Sequence, residues 1–151
     1  MDQKTILLVE DNADDEALTL RAIRKHNIAS EVMVARDGAE ALEYLFAEGR
    51  YVGRVEAHDP TVVLLDLKLP KVDGIEVLRR ARTHPRTRLL PVVVLTSSKE
   101  EQDILNSYSF GANSYIRKPV SFEQLVESVR TIGQYWLIIN EVPPPVRKGE
   151  R

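Results

Sequence analysis

Four runs of consecutive apolar residues, each closed by a polar one, limit what this chain can fold into. They are Ile6-Leu7-Leu8-Val9, Val32-Met33-Val34-Ala35, Val62-Val63-Leu64-Leu65 and Val92-Val93-Val94-Leu95. A strand that is apolar at every position has both faces covered. That environment exists in a parallel sheet with helices on each side. After each run, apolar residues recur at helical spacing. Ala17, Leu20 and Ile23 follow the first; Ala39, Ala41, Leu42, Leu45 and Phe46 the second; Ile75, Val77, Leu78 and Ala81 the third. Ile104, Leu105 and Tyr108 follow the fourth. A more polar fifth strand, Ser114-Tyr115-Ile116-Arg117, precedes Phe122, Leu125, Val126, Val129 and Ile132. Asn12 is a candidate cap for the first helix, and Asp14, Asp15 and Glu16 suit its positive end. A polar connection, GRYVGRVEAHDP, spans residues 49–60. Strand and helix alternate five times, which predicts an α/β fold: a doubly wound parallel sheet in a three-layer sandwich.

The 151 residues suit one domain, and the balance of 43% hydrophobic to 29% charged residues allows both a core and a wetted surface. The net charge of −2 argues against nucleic acid as a partner. The basic cluster Arg79, Arg80 and Arg82 reads as a solvated helix face. There are no cysteines, so disulfides, thiolate metal sites and cysteine nucleophiles are excluded. His26, His58 and His84 lie far apart, without metal-ligand spacing. No apolar run approaches the roughly 18 residues of a membrane span. The start, MDQKTILLVED, lacks the form of a signal peptide. A cytosolic location without membrane contact is expected.

The residues that stop the strands carry the chemistry. Ligands of open α/β sheets bind beyond the carboxyl ends of the strands. Those ends hold Glu10 and Asp11, Asp66, Thr96 and Lys118. Taken singly, each has a plain alternative: helix-capping acids, a loop acid, a capping hydroxyl, a surface lysine. Taken together, three carboxylates meet if the first and third strands are neighbours. Like charges so close raise one another's pKa unless a cation intervenes. An all-oxygen donor set favours a hard divalent ion, Mg²⁺ first. Acids, a metal, a hydroxyl and a lysine around one aspartate form a site that accepts a phosphoryl group, with the carboxylate as nucleophile. The Lys118–Pro119 bond is open to either isomer.

These motifs resemble the receiver domain of two-component response regulators over about residues 4–136. They are the pair Glu10-Asp11, the segment LLDLKLPKVDG with Asp66, Pro70 and Gly74, VLTSS with Thr96, and GANSYIRKP with Tyr115, Lys118 and Pro119. The resemblance implies a flavodoxin-like, five-stranded sheet of order 2-1-3-4-5 with five helices. It implies that Asp66 accepts a phosphoryl group from the phosphohistidine of a histidine kinase. Asp11 would bind Mg²⁺ directly, Glu10 through water, and the Lys68 carbonyl would be a further ligand. Lys118 would pair with the phosphoryl group, Thr96 would reorient toward it, and Tyr115 would rotate inward behind it. Glu10 departs from the aspartate usual at that position. Tyr115 has a second reading as an aromatic that packs on an edge strand. Lys68 and Ser98, two residues beyond Asp66 and Thr96, sit where side chains modulate attack by water.

The EDNADDE opening, the long connection 49–60 and the extended end resemble stand-alone regulators paired with phytochrome-type photoreceptor kinases. The expected division is a receiver domain over 1–139 and a tail over 140–151. Tyr135, Trp136, Leu137, Ile138 and Ile139 are contiguous, with Val142 beyond. A helix hides one stripe, so some of these point outward and mark a contact surface. A homodimer through the fourth helix, fifth strand and fifth helix is expected, with the tail crossing to the partner; the alternative is a tail folded on its own domain. Three rival functions compare poorly. A dehalogenase-type phosphatase needs an acid at position 68, where Lys68 stands. A flavin or nucleotide binder needs a phosphate-cradling loop where Glu10-Asp11 stands. The third is an adaptor that works without phosphorylation, despite an intact site. The chain is therefore expected to be a signalling phosphoacceptor that catalyses only its own phosphorylation and dephosphorylation.

Overall fold

A computed structural model of the chain describes residues 4–29, 31–55 and 59–144. His58 and the tail beyond residue 144 lie outside the described residues. Five parallel strands form one sheet: β1 (Thr5–Val9), β2 (Glu31–Ala35), β3 (Val62–Leu65), β4 (Val92–Thr96) and β5 (Ser114–Arg117). Their order is β2-β1-β3-β4-β5, with all pairs parallel, as expected. The helices are α1 (Ala13–Lys25), α2 (Gly38–Phe46), α3 (Gly74–Thr83), α4 (Glu101–Ser109) and α5 (Phe122–Gly133). A 3₁₀ turn, Gly49–Tyr51, lies in the long connection, and a π-helical segment, Gln134–Ile139, continues α5. No peptide bond among the described residues is cis, so Lys118–Pro119 is trans.

The continuous apolar strands feed two cores. Leu7, Val9, Val63, Leu65 and Val94 pack on one face with Ala41, Leu45, Val77, Leu78 and Ala81 of α2 and α3. Ile6, Leu8, Val62, Leu64 and Val93 pack on the other with Ala22 and Ile23 of α1 and four residues of α5, Leu125, Val126, Val129 and Ile132. Full burial of each Val, Leu or Ile side chain among them contributes about 2 kcal/mol. The helices begin where side chains cap them. Asn12, Asp37, Asp73 and Ser121 accept from backbone N–H groups of α1, α2, α3 and α5.

Two helix faces differ from expectation. On α1 Ile23 is buried and Leu20 packs beside it as expected, but Ala17 is exposed and Thr19 and Ala22 complete the buried stripe. The threonine methyl is apolar enough to pack there, so residue class alone misplaces the face. On α4, Leu105 and Tyr108 are exposed and Ser107 is the buried residue. That helix rests lightly on the domain.

The end of the chain divides the same way. Leu137 is buried and Trp136 half-buried, whereas Ile138 is 75% and Ile139 68% exposed. In the single chain, Val142, Pro143 and Pro144 line a cleft of their own domain with Pro60, Leu89 and Pro91. Those apolar residues lie between the strand starts and offer residues 142–144 partial cover.

Gly74 fixes how closely α3 approaches the end of β3. A Cβ there would stand 2.3 Å from the Asp66 carbonyl oxygen and 2.7 Å from the Leu67 Cα. Both obstacles are backbone and cannot swing aside. Gly74→Ala is expected to cost about 2 kcal/mol, as overpacking does, read as a lower urea midpoint at an unchanged m-value.

Candidate phosphoryl-acceptor site

Register brings the strand-end residues together. Val9 pairs with Leu65 across β1 and β3, so the next residues, Glu10 and Asp66, stand side by side. Leu65 pairs with Val94 and Thr96 with Arg117, which brings Thr96 and then Lys118 to the same edge. The Lys118 N–H donates to the Thr96 carbonyl at 2.8 Å and anchors the loop after β5.

Both oxygens of Asp66 are engaged. Oδ1 accepts from the Thr96 hydroxyl at 2.8 Å and from the Lys68 N–H at 3.2 Å. Oδ2 accepts from Lys118 Nζ at 2.9 Å. The same ammonium donates to Glu10 Oε1 at 2.5 Å and to Asp15 Oδ2 at 2.9 Å. Three carboxylates from three places in the chain thus share one cation. Glu10 Oε2 accepts from the Asn12 N–H at 3.2 Å.

The electrostatics follow from these contacts. Burial pushes the Asp66 carboxyl up, but the Lys118 hydrogen bond and charge, with the Thr96 and Lys68 donors, outweigh it and hold the group below the usual aspartate range. Glu10 is raised to about 7, chiefly by burial and further by the Asp66 charge, against the pull of Lys118. Burial disfavours the Lys118 ammonium, yet its bonds to Glu10, Asp66 and Asp15 raise its pKa above the ordinary lysine value. The lysine is therefore charged throughout the physiological range.

Glu10, Asp11 and Asp66 each offer a carboxylate oxygen within 4.8 Å of the others. Asp11 is exposed and the other two are buried. An all-oxygen cluster with one side open to water fits a hard, partly hydrated cation and not a softer metal.

Thr96 is fully buried, and its hydroxyl points at Asp66. The half-buried Tyr115 donates its hydroxyl to the Ser98 carbonyl at 3.0 Å and packs against the α2/α3 core. The expected reorientations of Thr96 and Tyr115 therefore begin from side chains already turned to this end of the sheet. Lys68 contributes its N–H, while its ammonium turns to Asp103 at 3.5 Å. Tyr135, Trp136, Ile138 and Ile139 lie on the continuation of α5 and Val142 beyond it, apart from this cluster.

Two residues escaped the sequence analysis. Asp15 was assigned to the helix N-terminus, but from the first turn of α1 its carboxylate reaches Lys118 at the strand ends. Asp103 carried no motif.

An aspartate at the edge of a doubly wound sheet, held by a lysine and a threonine beside further acids, defines a receiver-type signalling protein. The response regulator receiver domain matches residues 6–130, and the chain belongs to that family. It is 46% identical over 141 residues to the probable methanogenesis regulatory protein FilR2 of Methanothrix harundinacea, covering 93% of this chain and 88% of the relative. It is 38% identical over 134 residues to the response regulator Rcp1 of Synechocystis, covering 89% of each. Among solved structures, the phosphorylated cyanobacterial phytochrome response regulator RcpA superposes with a TM-score of 0.87 at 41% identity, over 94% of this chain and 99% of RcpA. The Mn²⁺-bound form of Rcp1 gives 0.85 at 37% identity, over 93% and 99%. No helix among the described residues is long and apolar enough to cross a membrane.

Removing the shared cation leaves buried like charges unpaired. Lys118→Met is expected to lose about 3 kcal/mol of stability at neutral pH. The loss should shrink as pH falls through the carboxylate range, because protonation removes the repulsion. Urea titrations at several pH values check the trend.

Proposed function

We propose that the chain is a phosphoacceptor served by a histidine kinase of the phytochrome type, acting in the cytosol. The observation that carries this is the state of Asp66: buried at the binding edge, with Lys118 on one oxygen and Thr96 on the other. In the reaction, an Asp66 oxygen forms a bond to phosphorus as the N–P bond of the kinase phosphohistidine breaks. The imidazole leaves with the electron pair of that bond. Lys118 and Thr96 offer a positive charge and a hydroxyl donor to the transferring oxygens, set in place before transfer. Glu10, Asp11, Asp66 and the Lys68 carbonyl would hold Mg²⁺, which supplies further charge neutralisation there. The same residues support hydrolysis, in which water bonds to phosphorus as the Asp66 O–P bond breaks, the carboxylate leaves with the electron pair and inorganic phosphate is released. Thr96 and Tyr115 are the residues through which the added charge biases the α4–β5–α5 face, as a shift between existing populations.

The test is incubation with a phosphorylated kinase, read by intact mass. Wild type is expected to gain one phosphoryl group. Asp66→Asn, or wild type with the divalent metal chelated, is expected to gain none. A labelled Asp66→Asn would assign the acceptor elsewhere.

The continuation of the domain past α5 supports a second role, as a contact between two copies of the chain. Tyr135, Ile138 and Ile139 expose apolar surface beside the half-buried Trp136. Such a patch is costly to leave in water. Ile138→Asp with Ile139→Asp, both at exposed positions, is expected to convert a dimer to a monomer in light scattering while leaving phosphoryl uptake intact.

A further inference from the structure

Two loops leave Asp66 and meet again at one carboxylate. The Thr96 hydroxyl donates to Asp66, and the Ser98 N–H reaches that hydroxyl at 3.4 Å. The Ser98 hydroxyl donates to Asp103 Oδ2 at 2.6 Å. On the other side the Lys68 N–H donates to Asp66, and the Lys68 ammonium stands 3.5 Å from the same Asp103 oxygen. The circuit Asp66–Thr96–Ser98–Asp103–Lys68 is closed. Its far point lies in the first turn of α4.

That position matters because α4 has few other fastenings. Ser107 is its only buried residue, and Glu100 before it makes no side-chain cap. Asp103 is half-buried, and the Lys68 side chain is 64% exposed, so the lysine is free to swing once its partner is lost. Tyr115 joins the same loop through the Ser98 carbonyl.

We propose that Asp103 is a positioning residue of the phosphoryl site. Its carboxylate fastens α4 to the acceptor loops and draws the Lys68 ammonium toward the helix, away from the phosphorus-bound oxygens. Negative charge arriving on Asp66 competes for that ammonium. When Lys68 turns to it, the ion pair to Asp103 opens and Asp103 is left with the Ser98 bond alone. The proposal deepens the reading of Asp66 as phosphoacceptor and rests on it for the labelled state.

Two measurements separate the links. Amide hydrogen exchange over residues 101–109 of unlabelled protein is expected to quicken about threefold in Asp103→Ala and in Ser98→Ala. Asp103→Asn, whose amide oxygen still accepts from Ser98 but no longer pairs with Lys68, should exchange at a rate between wild type and Asp103→Ala. After loading with acetyl phosphate, loss of label is expected to slow about threefold in Asp103→Ala and Asp103→Asn, since the freed ammonium screens the phosphoryl group from water. In a Lys68→Met background the same changes should have no effect on that decay. Unchanged exchange in both Asp103→Ala and Ser98→Ala overturns the fastening. Unchanged decay, or an effect that survives Lys68→Met, overturns the positioning of Lys68. A wild type that takes no label contradicts Asp66 as acceptor, while the exchange data still decide the ring.

Discussion

The Lys118 ammonium is the charge on which the rest of the site depends. It binds Glu10 after β1, Asp15 on α1 and Asp66 after β3. Without it, carboxylates brought together by the sheet would repel or protonate. With it, Asp66 stays ionised although buried, and an ionised carboxylate is what nucleophilic attack on phosphorus requires. The lysine itself is held by the β4–β5 register through its backbone bond to Thr96. Folding and chemistry are thus coupled at one residue. The sheet places the cation, and the cation makes the sheet's acidic edge tolerable.

The two ends of the domain divide the work. The strands' carboxyl ends gather the polar groups, and the opposite ends and the extension past α5 carry apolar surface. Between them, α1 and α5 close one face with ordinary packing. On the other face α2 and α3 are well buried, but α4 is not. A switch needs an element whose stability lies near the bottom of the range. The lightly packed α4, fastened through Ser98 and Asp103, fits that requirement.

Much of the site was legible because strand ends are marked. Glu10-Asp11, Asp66, Thr96 and Lys118 each interrupt an apolar or strand-like run, and the fold rule for open sheets makes such interruptions meaningful. Asp15 was not legible, because an acid in the first turn of a helix has a sufficient local explanation. Asp103 was invisible for a similar reason. The buried stripes of α1 and α4 were shifted because Thr19 and Ser107 bury despite their hydroxyls, and Leu105 and Tyr108 stay out despite their rings and chains.

By itself the sequence determined the alternation of strand and helix, the parallel sheet and the strand-end residues that form the candidate site. Continuous apolar runs call for a sheet covered on both faces, and the polar residues that end them gain meaning from falling together at its carboxyl edge. Only the tertiary structure decided that one lysine serves three acids, that the Thr96 hydroxyl rests on Asp66, and that Lys68 leans toward α4. Those facts depend on distances between strands and on which partner wins a competition of a few ångströms. Local spacing carries no record of either.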